Sequence, residues 1–116
     1  MADTGWIVTF TGRKFYPLNP RLEDIDIVDI AHALSNLCRF TGHCREFYSV
    51  AQHSHLVSTL VPIEDAMHGL LHDAGEAYIG DVSSPLKRQL QDYRGIEFEV
   101  DAAICRKFGL PYRMPP

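Results

Sequence analysis

A histidine and an aspartate stand side by side at His72 and Asp73, Glu76 follows one helical turn on, and a second imidazole, His53, lies on an earlier segment. Residues three and four apart share a helix face, so Glu76 falls beside both His72 and Asp73. Consecutive residues diverge by roughly 100° around a helix. His72 and Asp73 therefore flank one point only if that point lies at the seam with a neighbouring helix, from which His53 is placed to approach. Neutral imidazole with carboxylate suits one divalent ion of borderline to hard character, Zn²⁺, Co²⁺, Mn²⁺ or Fe²⁺. Three protein ligands with open positions make a catalytic rather than a structural site. The plain alternative is that both histidines are hydrogen-bonded core residues and Asp73 is a surface charge.

The elements that must position these groups are mostly helical. The apolar run 6–10, the turn at Thr11-Gly12 and the return over 14–16 predict a short N-terminal β-hairpin. Residues 17–20 are a loop. Ile27, Ala31, Leu34 and Cys38, widened by Ile30 and Leu37, predict a helix over 24–38, with Asp26 as N-cap and Asp29 in the first turn. Gly42 interrupts the chain. Ser49 caps a second helix over Val50–Leu60. Pro62 opens a third, over 62–78, which Gly80 ends. Ser84 then Pro85 start a short fourth helix. A fifth runs over 92–108 on Ile96, Val100, Ala103, Ile104 and Phe108, stopped by Gly109 with Pro111 beyond. The proline-rich exit from Leu110 reads as a connection to a further segment.

At 116 residues a single domain is expected. Eleven basic against fifteen acidic residues give a net charge of −4, with the basic ones scattered. That excludes the clustered positive stripe of a nucleic-acid-polymer binder. A free nucleotide remains compatible, because a few placed cations suffice for one phosphate group. The apolar runs are too short for a membrane span, and no basic region leads into an apolar stretch at the N-terminus. Cys38, Cys44 and Cys105 form no CxxC pair, so free thiols in a cytoplasmic, reducing setting are expected. A zinc knuckle from Cys38, His43 and Cys44 lacks a second ligand pair.

Taken together, Arg39, His53, the HDxxExxxGD run from His72 to Asp81, and Pro85-Leu86-Lys87 resemble the HD phosphohydrolase superfamily. The likeness is nearest to its small helical branch of bacterial deoxyribonucleotide 5′-nucleotidases and phage dATP triphosphohydrolases. It is carried by 39–88 and extends more weakly over most of the chain. The resemblance implies an all-α fold, a compact HD-domain helical bundle with the short N-terminal hairpin, and a single domain over 1–116 without the family's C-terminal helices. It implies one divalent ion held by His53, His72 and Asp73, with Glu76 orienting or deprotonating the attacking water. It further implies Arg39 and Lys87 on phosphate oxygens, Asp81 near the sugar and the leaving oxygen, and Phe40 against the sugar, where some relatives carry tryptophan. The implied activity is hydrolysis of the α-phosphate ester of a dNMP or dNTP. A homodimer is the family-level expectation.

The sequence departs from the pattern in one respect. The family's fourth ligand is an aspartate on a later helix, no residue after Asp101 is acidic, and Asp101 falls before that place. A nucleotide-binding module without turnover is therefore the second expectation, and an interaction domain with ordinary core histidines the third. Of the remaining histidines, His68, one turn before His72, is assigned a structural role, as is His32. His55 points away from His53, and His43 lies near enough to Arg39 to meet a phosphate. Trp6, Tyr16 and Tyr48 read as core aromatics, with Tyr48 near the site. Metal identity, base and phosphate count are open at this level.

Overall fold

The N-terminal segment forms the expected hairpin because Gly12, at φ +92°, takes a left-handed turn conformation that costs a glycine nothing. In the computed structural model, which describes residues 5–112, strand β1 (Ile7–Val8) pairs antiparallel with β2 (Lys14–Phe15), Ile7 opposite Phe15. The last four residues of the proline-rich exit lie outside the described residues. The hairpin turn is tied to the first helix by Asp29, a buried carboxylate. It accepts from Thr11 N–H at 2.7 Å and from Thr11 Oγ1 at 2.9 Å.

A 3-10 turn over Leu22–Asp24 precedes helix α1 (Ile27–Asn36). The start differs from the 24–38 expected. Asp26, in extended conformation, accepts from Val28 N–H at 2.7 Å, which places the cap and so begins the helix at Ile27. Leu37 and Cys38 leave the helix because they pair backward instead: Val50 N–H donates to Leu37 O at 2.8 Å, and Cys38 bridges Ser49. The buried stripe is also rotated from the one expected. Ile30 and Leu34 are buried, whereas Ile27 and Ala31 face solvent.

Helix α2 (Val50–Leu60) starts at Ser49, whose Oγ accepts from Gln52 N–H at 3.0 Å. Past Pro62 the chain makes a 3-10 turn (Ile63–Asp65), then α3 (Ala66–Leu71), α4 (Glu76–Ile79), α5 (Ser84–Lys87) and α6 (Gln91–Lys107). The third helix expected over 62–78 is thus broken at 72–75. Ser83 rather than Ser84 precedes α5, and Leu90 precedes α6, neither with a side-chain cap. α2 packs on α3, α1 on α2 and α4, and α6 on α5 and the Leu22–Asp24 turn. None of the described helices is long and apolar enough to cross a membrane.

The core lies where α6 meets the other layers. Val100 and Ala103 are fully buried, as is Phe15 of the hairpin. Phe15 stacks on Tyr78 with ring centroids 4.0 Å apart. Burial of a side chain of that size is worth roughly 2–3 kcal/mol. The Tyr78 hydroxyl accepts from Asp26 N–H at 3.2 Å, and burial pushes its pKa up to about 12. Trp6, expected in the core, is about half exposed and packs only partly, its ring tilted against Tyr16.

Asp26 makes fold stability depend on pH. The Val28 N–H bond holds its carboxyl below the ordinary range, and Arg13, 2.9 Å away, adds to this. A carboxyl whose folded pKa lies below its unfolded value of about 4 stabilises the fold above that value, and loses the effect as pH falls through the folded pKa. Asp26→Asn should therefore lower the urea midpoint at pH 7 and do so much less near pH 3. A difference independent of pH would show that the charge contributes nothing.

Candidate metal centre

Ser49 O accepts His53 N–H at 3.1 Å, which fixes His53 in the first turn of α2. His72 and Asp73 follow the end of α3. There the winding tightens. Ala74 N–H reaches Leu71 O, Glu76 N–H reaches Asp73 O, and Ala77 and Tyr78 reach Ala74 and Gly75, all i→i+3 bonds near 3.0 Å. At three residues per turn, residues i and i+3 eclipse. Asp73 and Glu76 therefore lie on one side of the turn, near enough for each carboxyl to act on the other.

The contact at the centre is between His72 and Asp73. His72 Nδ1 lies 2.6 Å from Gly69 O. A carbonyl only accepts, so Nδ1 carries the proton. Nε2 then turns a lone pair toward Asp73 Oδ2, 3.1 Å away. Two acceptors at that distance require a cation between them, a proton or a metal. A ring nitrogen anchored by a backbone carbonyl is also how metal-ligating histidines are usually oriented. His53 Nε2 stands 4.0 Å from the same Oδ2. One donor atom from each of His53, His72 and Asp73 lies within 4.8 Å of the others. Bonds of 2.0–2.2 Å place tetrahedral ligands about 3.3 Å apart, so closure on an ion asks for a shift on the order of 1 Å at His53. These three are the one His/Cys/Asp/Glu group of that kind among the described residues. Cys38, His43 and Cys44 do not assemble into another.

The electrostatics agree with a site built for a cation. Asp73 raises the His72 pKa through the shared contact, and Gly69 O adds to it. Burial lowers that of His53, and the Arg39 guanidinium lowers it further. Burial raises Asp73, but His72, His53 and Glu76 together outweigh it and the net direction is down. Burial, then the charges of Asp73 and Asp81, push Glu76 up to about 8.

Arg39 reaches the site through the bridge that ended α1. Its N–H donates to Tyr48 O at 2.9 Å. Its guanidinium lies 4.4 Å from the Phe40 ring centroid and 5.3 Å from that of Tyr48. It has no carboxylate partner among the described residues. Tyr48 is partly buried and meets His53 edge-on, with centroids 6.4 Å apart. Phe40 is exposed, and both it and Thr41 hold positive φ, +58° and +54°. Left-handed backbone is strained for a bulky or β-branched residue, and such strain collects at binding sites.

Asp81 is exposed and near enough to raise Glu76. Lys87 is close to both but is held by Glu97 at 2.8 Å. The other histidines stay outside. His68 Nε2 is 2.8 Å from Pro111 O, His32 stacks on Phe10 at 3.7 Å, and His43 and His55 are exposed.

Glu97 went unread in the sequence, and Asp101 was weighed only as a stand-in for the fourth metal ligand. Glu97 anchors Lys87. Asp101 packs against Gly75, and burial followed by the Glu97 charge pushes its carboxyl up to about 7. With Tyr93 they stand four residues apart on α6, a spacing that marks one face.

No family model matches the sequence. The chain is 54% identical over 106 residues to the uncharacterized protein YfdR of Escherichia coli K12, covering 91% of this chain and 60% of that protein. It is 36% identical over 120 residues to an uncharacterized protein of Rhodobacter capsulatus, covering 95% and 61%. The chain thus spans about three-fifths of the length of these curated relatives.

A methyl group at Gly75 would collide with Asp101 Oδ1. Gly75 has ordinary helical angles, φ −59° and ψ −28°. Alanine there would otherwise stabilise by about 0.5–1 kcal/mol. Gly75→Ala should instead destabilise by about 1 kcal/mol or more, and the sign should reverse in an Asp101→Ala background. Urea denaturation of the double-mutant cycle measures this, and additive effects would refute the contact.

Proposed function

We propose that this chain is a metal-dependent phosphohydrolase with the HD-domain helical bundle, acting on the α-phosphate ester of a deoxynucleotide, a dNMP or dNTP. The observation that supports this most is the opposition of His72 Nε2 and Asp73 Oδ2 at 3.1 Å, with Glu76 eclipsing Asp73 beside it. His53, His72 and Asp73 would hold one divalent ion, Zn, Co, Mn or Fe. Such an ion, when bound, lowers the pKa of a water and supplies a nucleophile near neutral pH.

The chain's own residues divide the remaining work. Glu76 orients the attacking water and accepts its proton. It carries a proton near neutrality because of burial and the Asp73 and Asp81 charges. Charge neutralised at Asp73 weakens that repulsion and frees Glu76 to act as a base. Arg39 offers a planar fork of donors to phosphate oxygens, steadied from behind by Phe40 and Tyr48. Lys87 adds a second cation, and Asp81 assists the departing sugar oxygen. The products are a nucleoside with phosphate, or with tripolyphosphate from a triphosphate.

One observation favours a second reading, a nucleotide-binding module without turnover. No fourth histidine, cysteine or carboxylate joins the three donors at the same separation among the described residues.

Elemental analysis combined with product identification across deoxynucleoside mono- and triphosphates separates the two. The expected outcome is bound divalent metal and release of phosphate or tripolyphosphate. His72→Ala should lose the metal. Glu76→Gln should keep it while turnover falls about 10²–10⁴-fold. Nucleotide binding without product, with or without metal, would favour the module, and a chain that takes up no divalent ion and binds no nucleotide would refute both.

A further inference from the structure

We propose that Cys38 and Cys44 are a reversible oxidation site whose disulfide staples the turn carrying Arg39. Their sulfurs lie 3.2 Å apart. That is about 1 Å beyond the roughly 2.05 Å of a formed disulfide. The segment that carries both thiols is closed at its base by backbone bonds. Arg39 N–H donates to Tyr48 O at 2.9 Å, and Cys38 bridges Ser49. Within the turn, Gly42 N–H donates to Arg39 O at 3.0 Å and His43 N–H to Phe40 O at 2.9 Å. Cys44 Sγ also faces Arg39 O at 3.9 Å. Both thiols are partly exposed, so a small reagent can reach them.

The two sulfurs are not equivalent. The Tyr48 backbone and then the Cys44 thiol lower the Cys38 pKa, whereas the Cys38 thiol and then burial raise that of Cys44. Those directions favour ionisation at Cys38, and the exchange is written from that sulfur. With a low-molecular-weight disulfide as oxidant, the Cys38 thiolate attacks one sulfur, forms a mixed disulfide and expels one thiolate. Cys44 gives its proton to solvent and attacks Cys38 sulfur. The intramolecular bond forms and the second thiolate leaves. Two protein thiols are oxidised and one small disulfide is reduced to two thiols.

The turn inside the ring is the strained one, with Phe40 and Thr41 at positive φ. It holds that conformation with both thiols free, without a covalent tie across it. Closed, it is confined, and Arg39 with it. The thiol chemistry stands without any enzymatic activity; only its consequence at a phosphate rests on the role proposed for Arg39.

The test is incubation of the full chain with oxidised and reduced glutathione, followed by peptide mapping and amide hydrogen exchange. The expected result is an intramolecular Cys38–Cys44 bond, reversed by dithiothreitol, with Cys105 still free. Exchange over 39–43 should slow about tenfold, and stay unchanged in oxidant-treated Cys44→Ser. Persistent free thiols, glutathione adducts alone, intermolecular bonds or pairing through Cys105 would each overturn the site. A bond that leaves exchange unaltered would overturn the staple. Neither readout depends on metal uptake or phosphate release, so failure here is distinct from failure of the hydrolase.

Discussion

The tight winding between Leu71 and Tyr78 is the constraint on which the rest depends. In an ordinary α-helix, side chains three apart are offset by about 60° around the axis. The i→i+3 bonds of this stretch remove that offset and stack Asp73 under Glu76. The winding is kept from below by burial. Ala74 and Tyr78 enter the core, and Gly75 leaves room where Asp101 sits. It is kept from above by the Gly69 carbonyl, which takes the His72 proton donor and aims the other nitrogen at Asp73. A continuous helix over 62–78 would keep the same residues and lose this alignment.

That arrangement gathers negative charge. Asp73, Glu76, Asp81, Glu97 and Asp101 act on one another, and Glu76 and Asp101 respond by holding protons into the neutral range, at about 8 and 7. Burial is the larger cause for both, with neighbouring carboxylates second. Groups held this way answer strongly to any positive charge brought among them, because the same low-dielectric setting that penalises the anion strengthens its attraction to a cation. A fold under selection for stability alone has no need of so many acids on facing surfaces, which is why perturbed carboxylates in a cluster point to function.

Much of the helical plan was legible in the sequence. The α6 stripe of Val100, Ala103 and Ile104 follows simple periodicity, and the Asp26 and Ser49 caps follow from side-chain oxygens that satisfy first-turn N–H groups. The triad was legible too, since His53, His72 and Asp73 do converge. What was not legible depends on long-range pairing. The backbone bridge between 37–39 and 48–50 ends α1 early and brings Arg39 beside His53. Periodicity within one segment carries no trace of that partner. The break at 72–75 was hidden as well, because no proline marks it and a hydrophobic pattern does not distinguish 3.6 from 3.0 residues per turn over one turn. Glu97 was passed over, and Asp101 was weighed only as a metal ligand and not as a buried acid, because acids on a long helix are ordinarily solvent-facing.

For the proposed phosphohydrolase, Lys87 is the remaining difficulty, since Glu97 already occupies it. Both partners are about one-quarter exposed at the side chain. Burial alone would lower the Lys87 pKa, yet the Glu97 contact carries it upward, so the ammonium stays charged. For a pair this far buried, the cost of taking both charges out of water offsets much of their attraction, so its net worth is small. A phosphate dianion offers more charge and more acceptor oxygens than one carboxylate, so exchange of partners is electrostatically favourable. If the proposed hydrolase reading holds, Glu97 would keep a charged lysine in place for a phosphate, and α6 would belong to the site as well as to the core.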